Sequence, residues 1–293
     1  MTKTTPSSMA EQDGSLRDVQ LSFIGCGVMA ESMIAGLLRR KLVAPSQIVG
    51  SHPRQARRQE LTEKYGIKTV EENRQAIEIE KPNGETDSIV ILATKPQRLN
   101  VVLVELKGAL RSNDLILSIV AGATMETIGR ELSHPAVVRA MPNTPAQISQ
   151  GMTAWTTTSD VTDGQRTMVR ALLSALGHEM FVETERMIDM ATALSATGPT
   201  YIFLVMEALV DAGVHMGFSR HVAEELVVQT MLGSVLFAQE SHKHPAELRN
   251  MVTSPGGTSA AAIYQMEKGS LRTVLSKAVW AAYQRAVELG EKE

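Results

Sequence analysis

Six consecutive residues, Gly25-Cys26-Gly27-Val28-Met29-Ala30, restrict the fold of this chain more than any others. They follow a short apolar run, residues 19–24, and open into a helical pattern that reaches about residue 40. G-x-G-x-x-A between a strand and a helix is the fingerprint of a dinucleotide-binding βα turn. Gly25 would make the tight turn, Gly27 would let backbone approach a pyrophosphate, and Ala30 would let helix and strand pack closely. Ile24, Gly25, Cys26, Gly27, Val28 and Met29 are therefore candidate cofactor contacts. Cys26 is read first as a small residue filling the x of G-x-G, although a thiol beside a helix N-terminus can also be acidified.

The second strand tests which dinucleotide is bound. It ends in Ser51-His52-Pro53-Arg54, with Arg57 and Arg58 behind. An NAD-preferring site places an acidic residue there for the ribose 2′-OH. A hydroxyl with nearby guanidinium groups suits a 2′-phosphate instead, so Ser51 and Arg54 point to NADPH, with NADH as an alternative. The other reading of Arg54, Arg57 and Arg58 is that they solubilise the following helix.

Apolar runs of buried-strand length recur at residues 88–93 and 114–120, with a shorter one at 137–140. Helix-compatible stretches at 99–110 and 124–132 separate them. This alternation predicts an α/β class: a Rossmann-type doubly wound, mainly parallel sheet with helices on both faces. Strand ends in such sheets face the ligand crevice. Ala93-Thr94-Lys95-Pro96, Ala121-Gly122 and Asn143 each follow a strand and become candidates for the cofactor. Turn chemistry explains the Pro and Asn equally well. A polar surface turn is expected at 81–85.

From about residue 184 helical patterns take over, at 199–217, 220–240, 260–268 and 271–290. The predicted organisation is a disordered tail (1–18), a cofactor-binding domain (19–183) and an all-helical dimerisation and substrate-binding domain (184–293). Small and apolar residues crowd nearly all faces of the first two helices, which predicts burial in a homodimer at least. The 16 methionines read as core and interface filler.

A net charge of −3 and a pI near 6.2 offer nothing for nucleic acid or an anionic membrane. No apolar run is long or uncharged enough to predict a membrane span. The first 18 residues lack the apolar core of a signal peptide, and one cysteine excludes an internal disulfide. The expectation is a cytoplasmic protein. His242-x-His244 lacks partner ligands, so a solvated loop is preferred and no metal is predicted. Glu207 and Asp211, on an apolar helix, read as capping or interface residues before functional ones.

Ser254-Pro255-Gly256-Gly257-Thr258-Ser259 is the most informative segment for chemistry. It places small hydroxyls and unobstructed amides where a helical pattern begins, which makes an anion site. A small carboxylate would sit on the N–H groups of Gly257, Thr258 and Ser259, beside the hydroxyls of Ser254 and Ser259. Gly256 and Gly257 allow the close approach.

These segments, together with Ser195-Ala196-Thr197-Gly198-Pro199 and residues 207–214, occur in the order found in pyrroline-5-carboxylate reductases. The chain resembles that family from about residue 19 to 289. The resemblance implies NAD(P)H-dependent reduction of 1-pyrroline-5-carboxylate to L-proline, the last step of proline biosynthesis. It also implies a helical dimerisation domain, often assembled into a pentamer of dimers. By position it assigns Gly25 to Met29, Ser51, Asn73, Thr94, Lys95 and Ala121 to the cofactor. Ser254, Gly257, Thr258 and Ser259 go to the substrate, with Ser259 and Ser254 as the candidate catalytic residues. The family commonly has Ser-Gly-Ser-Gly-Pro at 195–199 and Thr at 259; both departures keep small size, and the second keeps the hydroxyl. Two rivals are a β-hydroxyacid dehydrogenase-like oxidoreductase and a non-catalytic NADP(H) sensor. The first needs a lysine early in the helical domain, and none occurs between Pro199 and Glu240. The second would bind cofactor without turnover.

Overall fold

Continuous apolar runs form the centre of the sheet because both of their faces are covered. A computed structural model describes residues 15–78 and 87–291. The expected turn at 81–85 and residues 1–14 of the expected tail lie outside them. Residues 15–18 are part of the fold: Leu16 is buried, and Gln47 Nε2 donates to its carbonyl at 2.8 Å.

In chain order the first half runs β1 (Gln20–Ile24), α1 (Val28–Arg39), β2 (Ile48–Ser51), α2 (Gln55–Tyr65), β3 (Lys68–Val70) and α3 (Asn73–Ile77). It continues with β4 (Ser88–Leu92), α4 (Leu99–Leu106), β5 (Asp114–Ser118), α5 (Met125–Leu132) and β6 (Val137–Met141). Then come β7 (Gly151–Thr157), α6 (Asp163–Ser174), β8 (Gly177–Phe181) and α7 (Glu185–Ala191). The strands form one eight-stranded sheet in the order β3-β2-β1-β4-β5-β6-β7-β8. Pairing is parallel from β3 through β6, antiparallel between β6 and β7, and parallel again to β8. The first six strands thus have the doubly wound order, with its switch point at β1 and β4.

Side chains alternate across this sheet. Leu21, Phe23, Ile89, Ile91, Leu115 and Leu117 face one core, which holds Met33, Ile34 and Leu37 of α1 and Leu172 of α6. Ile24, Val90, Leu92 and Ile116 face the other, against Leu99 and Leu103 of α4 and Ile128 of α5.

Beyond α7 a π-helical turn, Thr192–Ala196, precedes α8 (Gly198–His215). There follow α9 (Arg220–Ser241), α10 (Pro245–Met251), α11 (Thr258–Lys268) and α12 (Leu271–Glu291). The chain divides into two compact units, with Gly198–Ala281 as the second. The first extends past the expected residue 183 to Thr197, and takes up the chain again from Ala282. Its ties are visible. Buried Arg139 of β6 pairs with Glu185 at 3.0 Å and Asp189 at 2.6 Å, pinning α7 to the sheet. The end of α12 packs on Gly122 through Leu289, and Tyr283 accepts a hydrogen bond from Arg186 at 3.1 Å.

The second unit hides little of its apolar surface. Val210 and Ala223 are buried, whereas Phe203, Leu204, Leu232, Val235 and Phe237 are half exposed or more. The helical stretch Glu185–His215 is long and apolar enough to cross a membrane by length and composition, and only 11% of its most apolar part is buried. This amends the expectation that no run has that length. The apolar pattern in the sequence starts at Pro199, and α7 with its π turn lengthens the helical path.

Candidate active site

The cofactor fingerprint folds as its chemistry requires. Gly25 has φ +89°, and a Cβ there would lie 2.9 Å from Thr94 Cγ2 and 3.2 Å from the Ala93 carbonyl. Only glycine combines that backbone with that approach. Gly27 caps α1 with open space around its Cα, and no side chain caps the helix. The first amides of α1, at Val28 and Met29, therefore face outward as an anion site. Thr94 adds a buried hydroxyl with no hydrogen-bond partner among the described residues. An open glycine cradle, a bare helix start and an orphaned hydroxyl together fit a bound dinucleotide phosphate.

The remaining candidates separate into those that face the crevice and those that build it. Cys26 is fully buried and its thiol lies against Gly50. Burial pushes that thiol up to about 12, against the lowering pull of Arg57, so the acidified-thiol reading is discarded. Its backbone is also occupied: its N–H donates to the Ser51 carbonyl at 3.0 Å, and its carbonyl accepts from Arg57 Nε at 3.2 Å. Cys26 thus shapes the turn without presenting a group to a ligand. Ser51 is likewise fully buried, with its hydroxyl held by Gly25 and Asn73, which removes it as a phosphate ligand. Asn143 accepts from Met152 N–H at 2.9 Å and donates to the Ser195 carbonyl at 3.3 Å; its amide braces the loop between β6 and β7. Gly122, at φ +80°, is fitted to α12: an added Cβ would lie 2.7 Å from Leu289 Cβ. Ile24 is buried at the end of β1, Ala121 packs on a small cluster with Met141 and Ile188, and Lys95 and Pro96 turn the chain out of β4 with Lys95 exposed.

The three arginines behind β2 are not equivalent. Arg57 bonds Glu31 at 2.5 Å and Glu60 at 2.8 Å, and Arg58 bonds Glu71 at 2.9 Å and the His52 carbonyl at 2.7 Å. Arg54 is exposed, and its guanidinium has no partner among the described residues. Burial and the neighbouring cations Arg54, Arg57 and Arg58 hold His52 below its ordinary pKa, so the strand end carries its positive charge on guanidinium alone. Glu31 is the local counter-charge. Burial works against its ionisation, but hydrogen bonds from Arg57, Lys64 and Tyr65 outweigh that and hold it at about 2.

In the second unit, Ser254-Pro255-Gly256-Gly257 closes a tight turn, with Gly257 N–H donating to the Ser254 carbonyl at 3.1 Å and Gly256 at φ +70°. Pro followed by a left-handed glycine is the type II pattern. This corrects one expectation: the Gly257 amide is spent on the turn, so the free donors are those of Thr258, Ser259 and Ala260. No side chain caps α11. The Ser254 hydroxyl stands over the helix start, 2.5 Å from where a Cβ on Gly257 would be. An anion there meets two or three amides, the helix dipole and a hydroxyl. The histidines considered for metal are engaged locally: His242 ends α9 at φ +54°, and His244 Nδ1 accepts from Ala246 N–H at 3.1 Å to cap α10. Among the described residues no three His, Cys, Asp or Glu side chains gather as a metal site. Asp211 pairs with Arg220 at 3.0 Å on the surface.

Two contributors escaped the sequence. Arg139 is one charge inside an apolar strand, and its acidic partners lie some fifty residues on, four apart on one helix face. Glu105 reaches Asn73 at 2.5 Å and had no motif to announce it.

The doubly wound sheet, the glycine cradle and the helical second unit define a dinucleotide-dependent oxidoreductase with a helical association region. Comparison with known proteins agrees. Residues 20–122 match the family described as NADP oxidoreductase, coenzyme F420-dependent, and residues 185–289 match pyrroline-5-carboxylate reductase dimerisation. A pyrroline-5-carboxylate reductase of Synechocystis sp. is 39% identical over 274 residues, 94% of this chain and 99% of the relative. The solved pyrroline-5-carboxylate reductase of Coxiella burnetii is 36% identical with a TM-score of 0.81, covering 93% of this chain and 98% of that one. A Plasmodium falciparum pyrroline carboxylate reductase solved with NADP bound is 27% identical, TM-score 0.83, with 93% and 98% covered. The chain belongs to the pyrroline-5-carboxylate reductase family. Its half-exposed helical face falls within the dimerisation match, and the protein is a homodimer at least.

Proposed function

We infer that this protein reduces 1-pyrroline-5-carboxylate to L-proline, with NADPH as the preferred donor and NADH as a second one. The observation that carries the substrate assignment is the uncapped start of α11 under the Ser254 turn, a carboxylate-sized anion site. The bound nicotinamide supplies the hydride. The protein's residues hold and orient. The amides of Thr258, Ser259 and Ala260 fix the substrate carboxylate, and the Ser254 hydroxyl bounds it. The ring nitrogen is protonated before attack, which makes the imine carbon electrophilic, so no strong acid is needed. The Ser259 hydroxyl bonds that nitrogen and fixes the ring face. Most of the rate gain then comes from orientation in a near-attack geometry. Val28, Met29 and Thr94 hold the pyrophosphate, and Arg54 reads the 2′-phosphate. The pentamer of dimers rests on the family resemblance, and a cytoplasmic location on the sequence reading of the N-terminal residues and the single cysteine.

Ser259→Ala tests the site. Loss of one oriented hydrogen bond to a charged ring predicts a kcat lowered about tenfold or more, with NADPH affinity and melting temperature unchanged. Full kcat with unaltered KM would remove Ser259 from the chemistry. The rival sensor reading would show as cofactor binding without any formation of proline.

A further inference from the structure

We propose that Ser51 and Glu105 are positioning residues for the cofactor turn, acting through Gly25 and Asn73 without touching the cofactor. The inference rests on the reading of this crevice as a nicotinamide dinucleotide site, and assigns to two residues a role that does not depend on the 2′-phosphate.

The polarity of the network follows from its donors and acceptors. A serine hydroxyl has one proton and two lone pairs, and an ionised carboxylate only accepts. Glu105, on the outer face of α4, accepts from Asn73 Nδ2 at 2.5 Å. That contact fixes the amide, so Asn73 Oδ1 is turned to Ser51 at 2.7 Å and takes the hydroxyl proton. A lone pair of Ser51 is then left for Gly25 N–H, 3.2 Å away. The Ser51 carbonyl meanwhile accepts from Cys26 N–H at 3.0 Å. Two successive amides of the glycine turn therefore hang on one residue of the neighbouring strand.

Without Ser51 those amides have no partner in a turn at φ +89° that begins just past the last β1–β2 rung, Ile24 with Ser51. Their placement sets where the next ones, at Val28 and Met29, point. Ser51 is 0% exposed, so a phosphate cannot reach its hydroxyl. A residue that shapes the pyrophosphate cradle treats NADPH and NADH alike. A residue that binds the 2′-phosphate does not.

The test is direct titration of NADPH and of NADH by fluorescence, with melting temperatures measured in parallel. Ser51→Ala is expected to raise both dissociation constants by a similar factor, about tenfold for a lost internal hydrogen bond and an orphaned amide. Glu105→Ala should raise both about threefold, since only the orientation of Asn73 is released, and Glu105→Gln should restore them because its carbonyl still accepts. Glu105 is exposed, so its variants report even if Ser51→Ala fails to fold. Arg54→Met serves as the contrast, weakening NADPH alone. Loss of NADPH affinity alone in Ser51→Ala, or unchanged affinities in Glu105→Ala, would overturn the proposal. A wild-type chain that binds neither dinucleotide would instead overturn the cofactor reading beneath it.

Discussion

Replacing Gly257 by alanine separates a substrate site from an ordinary helix cap. At φ −80° and ψ 170° the backbone of Gly257 suits any residue, so the substitution introduces no backbone strain. What it introduces is a methyl group 2.5 Å from Ser254 Oγ and 3.2 Å from the Ser254 carbonyl. Ser254 is exposed, and its side chain can rotate away cheaply. The stability cost is that of alanine for glycine at an N-cap, about 1 kcal/mol, or roughly 3 °C in melting temperature. The displaced hydroxyl no longer meets the carboxylate. A hydrogen bond to a charged group contributes about 1.5 kcal/mol or more, so KM for 1-pyrroline-5-carboxylate should rise about tenfold. NADPH affinity should not move. Initial rates at saturating NADPH with the imine varied, and a separate NADPH titration, read both quantities. A variant that loses 3 °C but keeps its KM would refute the argument, leaving the turn as a cap and nothing more.

Two further outcomes follow from the cofactor unit. Arg54→Met should raise the NADPH KM about tenfold and leave the NADH KM alone, because Arg57 and Arg58 are held by carboxylates and cannot substitute; equal changes for both cofactors would reject Arg54 as the phosphate reader. Glu31 titrates at about 2 in the folded chain instead of 4.5, so its contribution to stability is complete above about 4.5 and is lost as pH falls from there towards 2. That contribution is about 2 kcal/mol allowing for partial solvation, and Glu31→Gln should flatten the acid limb of a stability-versus-pH curve; an unchanged limb would contradict the assignment.

The sheet was legible where strands are buried on both faces, since residues 89–92 and 115–117 are apolar without interruption. β3 and β8 were not, because a three-residue Lys-Thr-Val and a half-exposed Gly-His-Glu-Met-Phe at the two sheet edges carry no such run. α7 was hidden by Gly198-Pro199, which read as a helix start although helical turns precede it. The glycine turn and the Ser-Pro-Gly-Gly turn could be placed from local chemistry alone. The partition of work around them could not. Whether Arg54 or Arg57 is free depends on Glu31, Glu60 and Glu71, and whether Ser51 faces a ligand depends on burial under Asn73. The sequence does not reveal that the Gly257 amide is taken, because closure of the turn, and not the presence of glycine, decides which donors remain.

The most direct measurement is NADPH oxidation followed at 340 nm with purified protein and 1-pyrroline-5-carboxylate, with NADH in parallel and L-proline quantified at the end. The structure and the family predict rapid turnover, one proline formed per NADPH consumed, and a lower catalytic efficiency with NADH. Tight binding of NADPH with no proline formed from either cofactor would contradict the assignment and leave a dinucleotide-binding protein that does not reduce this imine.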